Sequence, residues 1–124
     1  MKKIVLSLHT TLDGFVAGPN GEMDWIKLDD ELFDLVATFT SEADTALYGR
    51  VTYQMMQSYW PTAADKPNAT KHDIEHSTWY NRVDKIVISK TMKDARSDKT
   101  TIVSDNIAEQ IGKLKNGGGK NIVI

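Results

Sequence analysis

Gly49, Arg50 and Thr52 lie together in the stretch Thr45-Ala46-Leu47-Tyr48-Gly49-Arg50-Val51-Thr52-Tyr53, and their types suit the binding of an anion. Thr45 to Tyr48 reads as a short buried strand and Val51 onward as the opening of a helix, which makes Gly49-Arg50 the turn between them. A glycine there keeps a Cβ out of the way of a ligand approaching the backbone. The first N–H groups of the following helix lack partners within it and lie beside the positive end of its dipole. Arg50 adds a permanent charge with a fork of donors, and Thr52 adds a hydroxyl. Together they form a seat for a phosphate. The plainer alternative is a tight turn carrying a solvated arginine, since the stretch is not a full P-loop. Ser89-Lys90-Thr91 is a second group of this kind, at the end of the run Lys85-Ile86-Val87-Ile88. Two hydroxyls and an ammonium at the C-terminal end of a strand match the place where open α/β sheets bind ligands; a polar turn is the alternative.

Other chemistry-bearing residues are less grouped. Asp29, Asp30 and Glu31 stand at the start of an apolar periodicity (Leu32, Leu35, Val36, Phe39), where a helix dipole favours carboxylates; Asp30 gains a role only if a ligand lies beside it. Asp13 precedes Gly14 and reads as a turn former. His72 and His76 stand four apart on one face of a helix, which is metal-ligand spacing, but no third His or Cys lies nearby in sequence. That face is expected to be solvated, and no metal is expected. Thr10 to Lys27 is a long loop punctuated by Asp13-Gly14 and Gly18-Pro19-Asn20-Gly21, and loops of this length often bind ligands. Its Phe15, Met23 and Trp25 either serve that role or tuck beneath the loop as a small satellite core.

Composition limits the function classes. The 124 residues carry a net charge of −2 and no cysteine. The charge, with no basic run, argues against nucleic-acid binding. The lack of cysteine removes disulfides and thiol chemistry and fits a reducing cytoplasm. The apolar run after Met1-Lys2-Lys3 is too short for a signal peptide, and nothing approaches a membrane span.

The elements that must position these residues alternate. Lys3 to Leu8 reads as a buried central strand, followed by the long loop and the helix from Asp29 to Phe39. The strand–turn–helix unit of 45–57 comes next, then an irregular connection from Pro61 to Asn68. Thr70-Lys71-His72-Asp73 has the pattern of a capping box opening a helix. Asp84 to Ile88 and Thr101 to Val103 are strands. Ile107, Ile111 and Leu114 mark a helix that Asn116-Gly117-Gly118-Gly119 stops, and Lys120 to Ile124 opens a last strand. Strands alternating with helices in one domain over 1–124 imply a mainly parallel sheet flanked by helices.

Three pieces in this order carry a family resemblance: Ser7-Leu8-His9-Thr10-Thr11-Leu12-Asp13-Gly14-Phe15-Val16-Ala17, Leu47-Tyr48-Gly49-Arg50-Val51-Thr52-Tyr53 and Ile86-Val87-Ile88-Ser89-Lys90-Thr91. The chain resembles the dihydrofolate-reductase-like family of the C-terminal reductase domain of the riboflavin-biosynthesis deaminase–reductase, and more narrowly its small stand-alone bacterial members. The resemblance implies a three-layer α-β-α fold around a mainly parallel twisted sheet that binds NADPH along the C-terminal strand ends. It places Gly49, Arg50 and Thr52 on cofactor phosphate and Ser89, Lys90 and Thr91 around the 2′-phosphate. Val16, Ala17 and the loop to Trp25 match a loop that covers nicotinamide and substrate. Asp30 falls nearest the acid that holds the pterin in dihydrofolate reductases. The implied activity is reduction of a pteridine-like or ribosylamino-pyrimidine substrate, of the 5-amino-6-(5-phosphoribosylamino)uracil reductase type. The alternative is a nucleotide-binding or sensing module without turnover. A cytoplasmic homodimer is expected. Family members continue past the position of Ile124 with a pyrophosphate loop and further strands, so the domain reads as incomplete at its C-terminus, its last strand left as an unpaired apolar edge.

Overall fold

The β-branched runs form strands that all pair in parallel. The computed structural model describes residues 1–95 and 97–124, and among these are β1 (Ile4–Val5), β2 (Ala43–Gly49), β3 (Asp84–Ile88), β4 (Thr100–Val103) and β5 (Asn121–Val123). They lie in one sheet in the order β1-β5-β2-β3-β4. The connecting helices are α1 (Asp30–Ser41), α2 (Arg50–Tyr59), α3 (Lys71–Arg82) and α4 (Ile107–Asn116), with a 3-10 helix over Trp60–Asp65 after α2.

A parallel sheet needs cover on both faces, and the alternation of side chains along its strands shows how it is covered. Ala46, Tyr48 and Val87 turn to one face, where Tyr53 and Met56 of α2 and Trp79 and Tyr80 of α3 pack on them. The Trp79 indole N–H donates to the Ala43 carbonyl at 3.2 Å, and the Ser77 hydroxyl donates to the Trp60 carbonyl at 2.7 Å. These bonds tie α3 to the sheet and to the 3-10 helix while satisfying polar groups inside the core. On the other face Ile111 and Leu114 of α4 lie over Ile86, Thr101 and Val103, around an open cavity of about 440 Å³. This layer is thin, for no residue of α4 is fully buried. The result is the α/β three-layer arrangement expected.

Three local expectations are corrected. The first strand is neither long nor central: β1 is a two-residue edge strand that among the described residues pairs with β5 alone, and Leu6 and Leu8 beyond it are exposed. Conversely, β5 is no open edge. It pairs with β1 through Ile4↔Ile122 and with β2 through Thr45↔Ile122, and Ile122 is completely buried. An apolar run shows that a strand is buried but not which neighbours it finds. The stretch after Pro61 is not wholly irregular, because Pro61 sits in the first turn of the 3-10 helix, where a missing N–H costs nothing.

At the N-terminal end of the sheet, Asp44 gathers the starts of three strands. Its carboxylate accepts from Lys2 Nζ at 2.8 Å and from the Lys120 N–H at 2.8 Å. Burial opposes its charge, but these bonds and one from Thr45 outweigh burial and hold the carboxyl below its ordinary range.

Helix starts follow their caps. Asp29 Oδ1 accepts from the Leu32 N–H at 2.9 Å, and the Thr70–Asp73 capping box is complete. Asp73 also accepts from the Tyr59 hydroxyl at 2.8 Å, which joins the cap of α3 to the end of α2. Thr70→Ala therefore costs about 1 kcal/mol of stability, to be read as a lower urea midpoint with an unchanged slope; an unmoved midpoint would contradict the capping account.

Candidate functional site

The register of β2 against β3 assembles the rim of the site. Gly49 pairs with Ile88, so the turn into α2 and the turn at Ser89 lie side by side at the C-terminal ends of neighbouring strands. Gly49 is the N-cap of α2 at φ −76, a value any residue adopts, and a Cβ built there would meet nothing among the described residues within 4 Å. Space rather than backbone freedom is what the glycine supplies. Arg50 and Thr52 are exposed in the first turn, with Arg50 Nη1 donating to Gln54 Oε1 at 3.0 Å. Ser89 Oγ accepts from the Thr91 and Met92 N–H groups at 3.2 and 3.0 Å, which folds the turn tightly and leaves Lys90 and Thr91 exposed. Between α2 and this turn runs an open groove of about 590 Å³ that Gln54, Gln57, Thr91 and Met92 help to line. An open glycine, a free helix start and four exposed donor side chains (Arg50, Thr52, Lys90 and Thr91) on one rim fit a phosphate-bearing cofactor.

Tyr48, the residue before Gly49, leads into a second space. A cavity of about 240 Å³ lies between α1, the 3-10 helix and α3, at the C-terminal ends of the strands, and takes in Ser7, His9, Tyr48 and Ile124. Its wall is a chain of rings. Phe33 stacks on His72 at 3.7 Å and 11°, His72 lies 5.4 Å from His76, and His76 lies 5.1 Å from Trp79. Trp60 meets His76 at 4.1 Å. Burial, and then the nearby charge of His72, lower the His76 imidazole to about 4. Burial lowers His72 as well, against the pull of Asp73 and Glu75. Burial pushes the Tyr48 phenol far up, so it is a neutral hydroxyl at every working pH.

The expected residues thus divide. Gly49, Arg50, Thr52, Ser89, Lys90 and Thr91 are brought to one rim. Val16, exposed, and Ala17, partly buried, lie in the long loop, whose two turns are closed by Gly14 N–H to the Thr11 carbonyl at 3.0 Å and Gly21 N–H to the Gly18 carbonyl at 3.0 Å. Asp13 shapes the first turn by accepting from the Thr11 hydroxyl at 2.7 Å. Phe15 and Met23 are exposed and do not form a satellite core, while Trp25 is partly buried. Asp30 is exposed at the first position of α1, and neither it nor Trp25 is among the residues that line the ring-walled cavity. The histidine face is a correction. His72 and His76 turn inward, not to solvent, because they continue the stripe that Trp79 begins. That spacing of 72, 76 and 79 was the signal available in the sequence. Among the described residues no group of three His, Asp or Glu side chains gathers to hold a metal, and no helix is long and apolar enough to cross a membrane.

Comparison with known proteins agrees with this architecture. Residues 2–123 match the profile of the RibD C-terminal domain family. The chain is 34% identical over 123 residues to "Uncharacterized protein YyaP" of Bacillus subtilis (strain 168), covering 98% of this chain and 61% of the relative. A crystal structure of a "Putative riboflavin biosynthesis protein" from Shewanella sp. PV-4 superposes with a TM-score of 0.68 at 22% identity, over the whole of this chain and 64% of the other. The chain therefore spans somewhat over three fifths of the length of both.

The inward histidines make stability depend on pH. Below the ordinary value of 6.5 the unfolded chain takes up a proton at His76 that the folded chain refuses until about 4. Stability therefore falls as pH drops through that window, by up to roughly 3 kcal/mol from this residue. Urea unfolding between pH 7 and 4 should show the decline, and His76→Phe should flatten it. An equally steep decline in the variant would place its origin elsewhere.

Proposed function

The chain belongs to the RibD C-terminal domain family, and from that premise we propose that it is an NADPH-dependent reductase of a pteridine-like or ribosylamino-pyrimidine substrate. The observation that carries the reading is the pairing of Gly49 with Ile88, which sets the Gly49 and Ser89 turns side by side and next to a ring-walled cavity. In this reading Gly49, Arg50 and Thr52 hold a cofactor phosphate at the start of α2. Ser89 keeps its turn folded so that Lys90 and Thr91 present an ammonium and a hydroxyl to the 2′-phosphate. NADPH, when bound, supplies the hydride. The chain's own part is to orient the ring against it and to exclude water, with the loop carrying Val16, Ala17 and Trp25 as cover. Asp30 is retained as the candidate acid.

A second reading is favoured by one observation: Asp30 is exposed and does not line the cavity. It takes the chain as a nucleotide-binding module without turnover. Stoichiometric NADPH binding with no oxidation across a panel of pteridines and aminopyrimidines would support it, and rapid turnover of any one would end it. The open β1 edge, with exposed Leu6 and Leu8, supports assembly as a homodimer, against which a monomer in sedimentation at working concentrations would count.

Calorimetric titration with NADPH and NADH tests the main reading. The chain should prefer NADPH, and Lys90→Ala should cost about tenfold in NADPH affinity, roughly 1.4 kcal/mol, with little change for NADH. No binding of NADPH would end the proposal, and equal loss for both nucleotides would remove Lys90 from the 2′-phosphate.

A further inference from the structure

The ring-walled cavity has a feature that general apolar packing does not require. Among the described residues His72 and His76 take part in no hydrogen bond, yet no buried polar side-chain atom is left without a partner. Their ring nitrogens are therefore reachable from open space, and both residues line the cavity. The rings themselves are held by their neighbours: Phe33 lies flat on His72, and Trp60 meets His72 edge-on at 5.5 Å. Fixed imidazoles with free nitrogens on an aromatic wall are preorganised hydrogen-bonding groups waiting for a partner.

The chemistry of that partner follows from the lining. A neutral imidazole offers one donor and one acceptor, and His76 stays neutral because burial suppresses its protonation. No Lys, Arg, Asp or Glu among the described residues lines the cavity, so an ionic group would lose its hydration there without a counter-charge. The volume of about 240 Å³ falls below the about 300–1,000 Å³ of drug-sized sites, which suits one or two fused rings. Flat walls favour a flat guest.

We infer that His72 and His76 are the specificity-determining residues of this cavity, reading the edge of an uncharged planar heterocycle that presents a hydrogen-bond donor and acceptor. The assignment rests on the reductase reading for its role, as the groups that choose the substrate ring, but the binding it requires stands without the cofactor. Neither residue is a catalytic residue; they hold the ring by its edge while Phe33 and Trp60 fix the imidazoles. An analogue of the same shape without edge groups leaves the imidazoles unpaired and is rejected.

Pterin and naphthalene, two fluorescent bicyclic probes of similar size, separate edge reading from simple apolar filling. Titrated into the whole chain, pterin should bind at least tenfold more tightly than naphthalene. His76→Phe, which keeps a ring against Trp60 and Trp79, should weaken pterin tenfold or more and leave naphthalene unchanged or tighter. Equal affinity of the unaltered chain for both probes would overturn the inference without any variant, as would a parallel loss of both in His76→Phe. Pterin binding without NADPH binding supports the inference while removing the reductase reading. NADPH binding without pterin binding overturns the inference alone.

Discussion

The parallel pairing of β2 with β3 is the constraint on which the rest depends. Five consecutive residue pairs, from Thr45↔Asp84 to Gly49↔Ile88, fix the two strands in one register. A shift of β3 by one residue would reverse all its side chains, sending Val87 to the thin α4 face and Ile86 into the aromatic core. The same shift would part the Gly49 turn from the Ser89 turn. Packing and site geometry are thus decided by one ladder, and the site is placed as accurately as the core is packed.

That core is unusually polar at its lower end. Lys85 is buried, with its ammonium 4.4 Å from the centre of the Tyr80 ring and donating to the Val83 carbonyl at 3.0 Å. Burial lowers its affinity for the proton, and the nearby Lys99 adds to the effect against Asp84. The aromatic face offsets part of the cost of enclosing the charge. Tyr80 passes its hydroxyl to Gln57 at 2.8 Å, and Tyr53 pairs with Thr100 at 3.2 Å. Large rings with polar tips let the molecule fill its centre while linking α2, α3 and the strands by directed bonds.

Local signals in the sequence were reliable where the chemistry is local. The Thr70–Asp73 box and the strand–turn–helix unit at Gly49 depend on residues a few places apart, and each stands as read. The placing of Gly49 and Ser89 on one rim also followed from the alternation of strands and helices, since parallel strands end together. Long-range facts were not legible. Nothing within Ile4-Val5 says that its partner is Ile122-Val123 rather than Ala46, and nothing within His72–His76 says that Phe33 and Trp60 will come to meet them. The exposure of Asp30 has the same origin: its position in the first turn is local, but which way that turn faces is set by the packing of α1 on α3.

The position of β5 has a consequence for how the sheet comes to exist. Ile122 joins Ile4, at the opposite end of the sequence, and also Thr45. As the chain leaves the ribosome, β2, β3 and β4 can pair in order of synthesis, but β1 has no neighbour until β5 has emerged and slid between it and β2. Contacts this distant in sequence are slow to form, and the intermediate that awaits them carries two unsatisfied edges around a vacant slot. The β1–β5–β2 side of the sheet is therefore the last part to close, and the facing edges of β1 and β2 are open to other chains throughout that interval.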